Sequence, residues 1–276
     1  QLRDDDIQSQ DIEIHNGPIP LESFNTSVSD TTGLFLASMG KFYGKLVIVG
    51  SEYDSPTEHH EASLAQAVFY NRAEPVIYNG DTLGYRADDA GVVSIDNLSL
   101  RTEPEYLNFP GVPIDTIGTR YSLLNVDGLG GRGFQYYGSH EYQWGVSGSI
   151  SLPPFQVNIN APAKVQVLTP AAGESFSRSH NVPIKWRGGG QVVTILISDF
   201  QEGSPAKPVL QLRLKNNRGR VVLPKRVLQL LPENRSRFLF TFSSESSFVM
   251  RLISVYQENI AVRAVTSHSL VYSLNR

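Results

Sequence analysis

The feature that most constrains this chain is its cadence. Short runs rich in Val, Ile, Leu and aromatic residues return at intervals of roughly 8–12 residues, each closed by Gly, Pro, Asn or Ser. The 276 residues include 23 Gly and 16 Pro, and the apolar runs between them are short. VPIKW (182–186), VVTILISDF (192–200) and RFLFTFSSES (237–246) have the composition of strands. PVIYNGDTLGY (75–85) sets Asn79-Gly80 between β-rich flanks, the strongest short hairpin signal. The expectation is an all-β chain built as two β-sandwich domains, with at most one or two short helices.

Two segments depart from the cadence. SPTEHHEASLAQAVFY (55–70) predicts a helix or half-helix, with Ser55 or Thr57 as cap and Leu64, Ala65, Val68 and Phe69 at helical spacing. A strand over AQAVFY is the alternative. PKRVLQLLPEN (224–234) predicts a short helix between its prolines.

Charge divides the chain. Residues 1–163 hold 21 Asp/Glu against 8 Lys/Arg, net −13; residues 164–276 hold 6 against 16, net +10. The switch falls at NINAPAKVQVLTP (158–170). The reading is therefore an acidic N-terminal tail (1–30), an acidic sandwich-like domain (31–160) and a basic sandwich domain (161–276). Within the tail, DIEIH (11–15) alternates polar and apolar residues and reads as an edge strand or as plain extended chain. Paired with a neighbouring subunit, it would act by strand addition.

Opposite poles favour docking, within one molecule or between neighbours. The expected partner-binding residues are Arg213, Arg218, Arg220 and Arg226 on the basic side and Asp4, Asp5 and Asp6 on the acidic side. The arginines carry no interleaved aromatics and no recognition motif, which points away from nucleic acid and toward an acidic protein face or an anionic polysaccharide.

Chemistry is sparse. There is no cysteine, so disulfides, thiolate nucleophiles and Cys-based zinc sites are excluded. Glu58-His59-His60-Glu61 is the best metal-like cluster, but adjacent histidines on a helix diverge by about 100° and the four-residue spacing of a helical metalloprotease is absent. Gly145-Val146-Ser147-Gly148 echoes a serine nucleophile elbow out of register, on an alternating strand. GLGGRG (128–133) lacks the Lys and the helix of a phosphate loop. Asp88-Asp89 and Glu103/Glu105 read as solvated loop charges. No metal or cofactor is expected.

Tyr136, Tyr137, Tyr142 and Trp144 lie within nine positions around a glycine turn. Packing inward is the expectation, and an exposed sugar-binding platform is its rival. No run approaches the roughly 18 apolar residues of a membrane helix. The chain starts at Gln1 without Met, which reads as a processed, exported protein.

VLTPAAGESFSRSHNVPIKW (167–186), followed by VVTILISD (192–199), resembles the immunoglobulin-like modules of exported proteins and lipoproteins of Bacteroidota-type bacteria. In those modules a Pro…Gly turn leads into a short strand ending in Ile-x-Trp. GRVVLPKRVLQLLPE (219–233) and VRAVTSHSLVYSL (262–274) resemble their later strands, and HEYQWGVSGSISLPPFQVNINAP (140–162) the segment that leads in. The likeness covers about 140–276, fading toward 75, and implies an Ig-like sandwich and export with no chemistry to transfer. Such lipoproteins begin with a lipidated Cys, where this chain has Gln1. Asp-Thr pairs at 30–31, 81–82 and 115–116 resemble the short O-glycosylation acceptor of the same exported proteins.

The function expected is a non-catalytic surface or periplasmic structural or accessory subunit acting through protein contacts, with head-to-tail assembly as its concrete form. A carbohydrate-binding protein and a hydrolase are the alternatives.

Overall fold

The computed structural model describes residues 12–16, 42–107, 113–126, 133–201, 206–252 and 259–275. Among them the strands are β1 (Ile12–Asn16), β2 (Gly44–Asp54), β3 (His59–Tyr78), β4 (Asp81–Ala87), β5 (Val93–Ile95), β6 (Leu98–Ser99), β7 (Arg101–Leu107), β8 (Asp115–Val126) and β9 (Glu141–Val146). The second half adds β10 (Phe155–Asn160), β11 (Ala163–Thr169), β12 (Ser175–Ser177), β13 (Val182–Gly189), β14 (Val193–Asp199), β15 (Lys207–Leu214), β16 (Arg220–Leu223), β17 (Arg237–Arg251) and β18 (Asn259–Asn275). A short helix, α1 (Lys225–Leu228), starts after Pro224, within the stretch expected to be helical. The fold is an all-β sandwich.

The main sheet runs β1-β15-β14-β17-β18-β2-β3-β4-β8-β7, with β12 paired in parallel to the end of β18. A four-stranded sheet, β10-β9-β5-β6, and a three-stranded sheet, β11-β13-β16, pack on one face of it. The first encloses Phe69, Tyr121, Tyr136, Tyr142 and Trp144. The second encloses Trp186, Ile195, Ile197, Phe238, Phe240 and Phe242.

β17 and β18 make this one sheet rather than two. They pair without a break from Arg237 opposite Ser273 to Arg251 opposite Asn259. β18 also runs parallel to β2, from Ile260 opposite Gly44 to Leu270 opposite Asp54. Alternation sends every second residue of β18 to the same face. Ile260, Val262 and Ala264 therefore enter the first core, and Leu270, Tyr272 and Leu274 the second. The expected boundary at 160/161 lies between β10, in the four-stranded layer, and β11, in the three-stranded one, while the main sheet passes through both regions.

The helix expected over 55–70 is a hairpin instead. Residues 59–70 form the first part of β3, paired with both β2 and β8. Leu64 to Tyr70 are buried one after another, so this strand is enclosed on both faces. Enclosure removes the polar half of the alternation, and the continuous apolar run then imitates helical spacing. The Asn79-Gly80 hairpin is present: φ is 51° at Asn79 and 90° at Gly80, as a type I′ turn requires, and Tyr78 pairs with Asp81.

Candidate functional site: a polar seam between two cores

The inward stripe of β18 changes character halfway. Between Ala264 and Leu270 it presents Thr266 and His268, both almost wholly buried. Here β11 crosses β18 on its way from one covering sheet to the other, with its inward backbone donors facing side chains rather than a paired strand. Val165 N–H donates to Thr266 Oγ1 at 3.2 Å and Val167 N–H to His268 Nδ1 at 2.9 Å. Two buried amides are thus satisfied by a hydroxyl and a ring nitrogen.

An acceptor at Nδ1 fixes the His268 proton on Nε2, which lies 2.8 Å from Asp54 Oδ2 at the end of β2. The other carboxylate oxygen, Oδ1, is 2.5 Å from Nδ1 of His59, the first residue of β3. Partial burial alone would raise the Asp54 carboxyl, but the hydrogen bonds from His59 and His268 outweigh it and hold it below its ordinary range. The bond to Asp54, against a smaller opposing effect of burial, raises His59 above its ordinary value. Beside this clamp, Lys164 Nζ sits 3.5 Å from Glu52 Oε1 and 3.3 Å from Glu61 Oε2. The cavity enclosed by Gly50, Ser51, Glu61, Lys164 and Thr266 is about 10 Å³, room for one water and nothing larger.

An Asp–His pair with one ring nitrogen outward is the orienting half of a nucleophilic triad. Among the described residues no hydroxyl is hydrogen-bonded to that nitrogen, His59 Nε2, which instead lies 3.9 Å from Glu61 Oε1. His268 has both nitrogens committed. The seam joins four strands, β2, β3, β11 and β18, where the two cores meet. Among the described residues, no three His, Asp or Glu side chains gather as metal ligands.

The expected site residues fall in separate places. Trp144 is 0% exposed, and Tyr136 and Tyr142 are each 1% exposed, whereas Tyr137 is 55% exposed. The four do not make a platform, because alternation along β9 turns Tyr142 and Trp144 inward together. Tyr136 lies over Gly50 and its hydroxyl donates to Pro162 O at 2.8 Å. Burial pushes the Tyr142 hydroxyl up to about 12, and it accepts the Tyr137 N–H at 2.5 Å.

Arg213, Arg218, Arg220 and Arg226 are all exposed but do not form one patch. On β15, Leu212 and Leu214 face the second core, so Arg213 points outward from the main sheet. On β16, Val221 and Leu223 face the same core from the opposite side, so Arg220 points outward from the three-stranded sheet. Its cross-strand neighbour is Lys185, and Arg187 follows two residues along β13 on the same exposed face. That basic face was missed because Lys185 and Arg187 flank the buried Trp186 in a motif dominated by its packing residues. Asp4, Asp5 and Asp6 lie outside the described residues, as do residues 128–132 of the GLGGRG turn.

Glu105 corrects a further expectation. It is 3% exposed rather than a solvated loop charge. A register shift between Glu105 and Tyr106 marks its place on β7. There it accepts the Tyr70 hydroxyl at 3.3 Å and faces Arg120 at 3.7 Å. Desolvation raises its carboxyl above the ordinary value despite Arg120, Tyr70 and Lys45. Ser147 of the elbow-like sequence is structural too: its Oγ accepts Val92 N–H at 2.7 Å.

Two further grooves are open among the described residues. One, about 520 Å³, is lined by Val92, Ser94, Ser147, Pro154, Phe155 and Gln156 among others, none of them titratable. The other, about 360 Å³, holds Asp199 paired to Arg235 at 3.0 Å and Arg237 stacked over Phe200 at 5.1 Å, so its charges are met within the protein. No helix among the described residues is long and apolar enough to cross a membrane. Compared with known proteins, the chain matches no family model and no curated protein.

Proposed function

We propose that this protein is a non-catalytic, exported subunit of a bacterial surface or periplasmic structure that works by protein–protein contact and assembles head to tail. One observation carries the reading: the unbroken β17–β18 ribbon ties two oppositely charged sandwiches into a single sheet. A contact made at one pole is thereby transmitted through backbone hydrogen bonds to the other. The side chains best suited to chemistry support the same view, since His268, Asp54 and Glu105 are engaged in holding strands together. The likeness of 140–276 to Ig-like modules of exported proteins adds the compartment.

The docking face is the outer surface of the three-stranded sheet, where Lys185, Arg187 and Arg220 are exposed side by side. It is offered to the acidic half of the next copy, and such a heterologous contact propagates when it does not close. Static light scattering checks this. Assembly should be strong at about 20 mM salt and largely lost at about 500 mM, where the screening length falls to a few ångströms. Lys185→Glu with Arg220→Glu should abolish it at low salt. Scattering that ignores both salt and charge reversal would remove the reading.

A further inference from the structure

The outer edge of the main sheet is completed from far away in the chain. β1 pairs antiparallel with β15, with Ile12 opposite Leu214, Ile14 opposite Leu212 and Asn16 opposite Leu210. Without β1, β15 would be an open edge that alternates buried Leu210, Leu212 and Leu214 with outward Gln211 and Arg213. After Pro208 it carries no proline to blunt it. Such an edge is a ready template for another strand.

The covalent path from β1 does not dictate which β15 it completes. Asn16, Leu210, Ile197, Phe240, Leu270 and Asp54 form one row across the sheet, so β1 ends level with the far end of β2 and five strands away from it. From Asn16 to the start of β2 is a diagonal of roughly 40 Å at ordinary strand spacings. The intervening residues 17–43 have a contour length of roughly 90 Å. That length reaches the β15 of the same molecule or of a neighbour, and identical contacts form either way. Exchange of an identical element is a low-cost route to assembly for this reason.

Charge complementarity suits β1 to this edge on either molecule. Residues 1–16 contain Asp4, Asp5, Asp6, Asp11 and Glu13 against Arg3 alone. Glu13 stands in register with Arg213, and the chain leaving β15 continues with Lys215 and Arg218.

We infer that β1 is a donor strand exchanged between copies, the β1 of one molecule completing the β15 edge of the next. This rests on the assembly proposed above and adds a second contact to it, at the edge of the main sheet. The absence of cysteine makes the test clean. His15→Cys and Gln211→Cys place thiols on partner positions of β1 and β15 while sparing Glu13 and Arg213. Full-length single variants are mixed, oxidised and run on a non-reducing gel, beside each variant alone and the double variant, with light scattering on the same samples.

Exchange predicts a mixed dimer about tenfold above either variant alone, and a ladder from the double variant that a synthetic peptide of residues 4–16 suppresses. Assembly in solution with only an intramolecular crosslink would overturn the exchange and leave the proposed function standing. Assembly with no crosslink at all would place β1 elsewhere and overturn it equally. No assembly under any condition would remove both.

Discussion

His268 is bound on one side to a backbone amide of β11 and on the other to a carboxylate at the end of β2. Replacing it with Ala strands the buried Val167 N–H and removes one of the two imidazole partners of the partly exposed Asp54 carboxylate. The expected loss, read by urea denaturation, is about 2–3 kcal/mol, the usual consequence of orphaning buried polar groups. His59 and Asp54 add a pH dependence whose signs are opposite. His59 has a folded value raised above 6.5, so its contribution is complete below that pH and fades as pH rises through the raised value. Asp54 has a folded value below 3.8, so its contribution is present above 3.8 and fades as pH falls through the lower one. The clamp is firmest between the two. In thermal melts, His59→Gln should lower the midpoint clearly near pH 5.5 and hardly at all near pH 9; an equal deficit at both would show that the pair does nothing. At this scale the sequence is least informative. A histidine and its carboxylate partner stand 214 positions apart, and neither has a neighbour that announces the other. Glu105 is misread for a related reason, since its burial depends on where β7 shifts register.

Strands and turns were far more legible, because each carries its own local signal. Asn79-Gly80 declares its hairpin through the left-handed backbone both residues must adopt. Trp186 and the alternation of Ile195 and Ile197 declare which face meets the core. β3 fails this test where both its faces are covered, and only the pairing with β2 and β8 reveals it. Close packing between elements leaves a different mark. A Cβ on Gly50 would lie 2.4 Å from the Tyr136 ring, so Gly50→Ala forces Tyr136 and the segment leading into β9 away from β2. The expected destabilisation is about 1–3 kcal/mol. Gly80, also glycine, has no atom within 4 Å of such a Cβ and only its positive φ to lose. Gly80→Ala should therefore weaken the fold less, by about 1 kcal/mol. Chemical denaturation of the two variants checks the order, and a Gly80 variant weaker than the Gly50 one would contradict the packing described here.

Across the whole molecule the decisive fact is that two cores share β17 and β18. Each core also owns one of the two tryptophans, Trp144 in the first and Trp186 in the second. Trp144→Phe leaves fluorescence to report the second core, and Trp186→Phe leaves it to report the first. Each variant should show one transition in which fluorescence and circular dichroism coincide, since neither core can open without losing strands of the other. A fluorescence midpoint well separated from the loss of β signal would mean that the sandwiches unfold independently. The charge division is a property of surfaces, and surfaces say little about which backbones are paired.

The parallel alliance of β2 with β18 bears on how such a chain comes into being. Residues 44–54 leave the ribosome about two hundred residues ahead of the strand that will lie beside them. Throughout that interval β2 has a bare edge, and the first interior lacks Ile260, Val262 and Ala264. Many proteins settle their early regions while later ones are still being made. This one has its closing piece in β18, so the first interior of the nascent polypeptide stays open until that strand has been made.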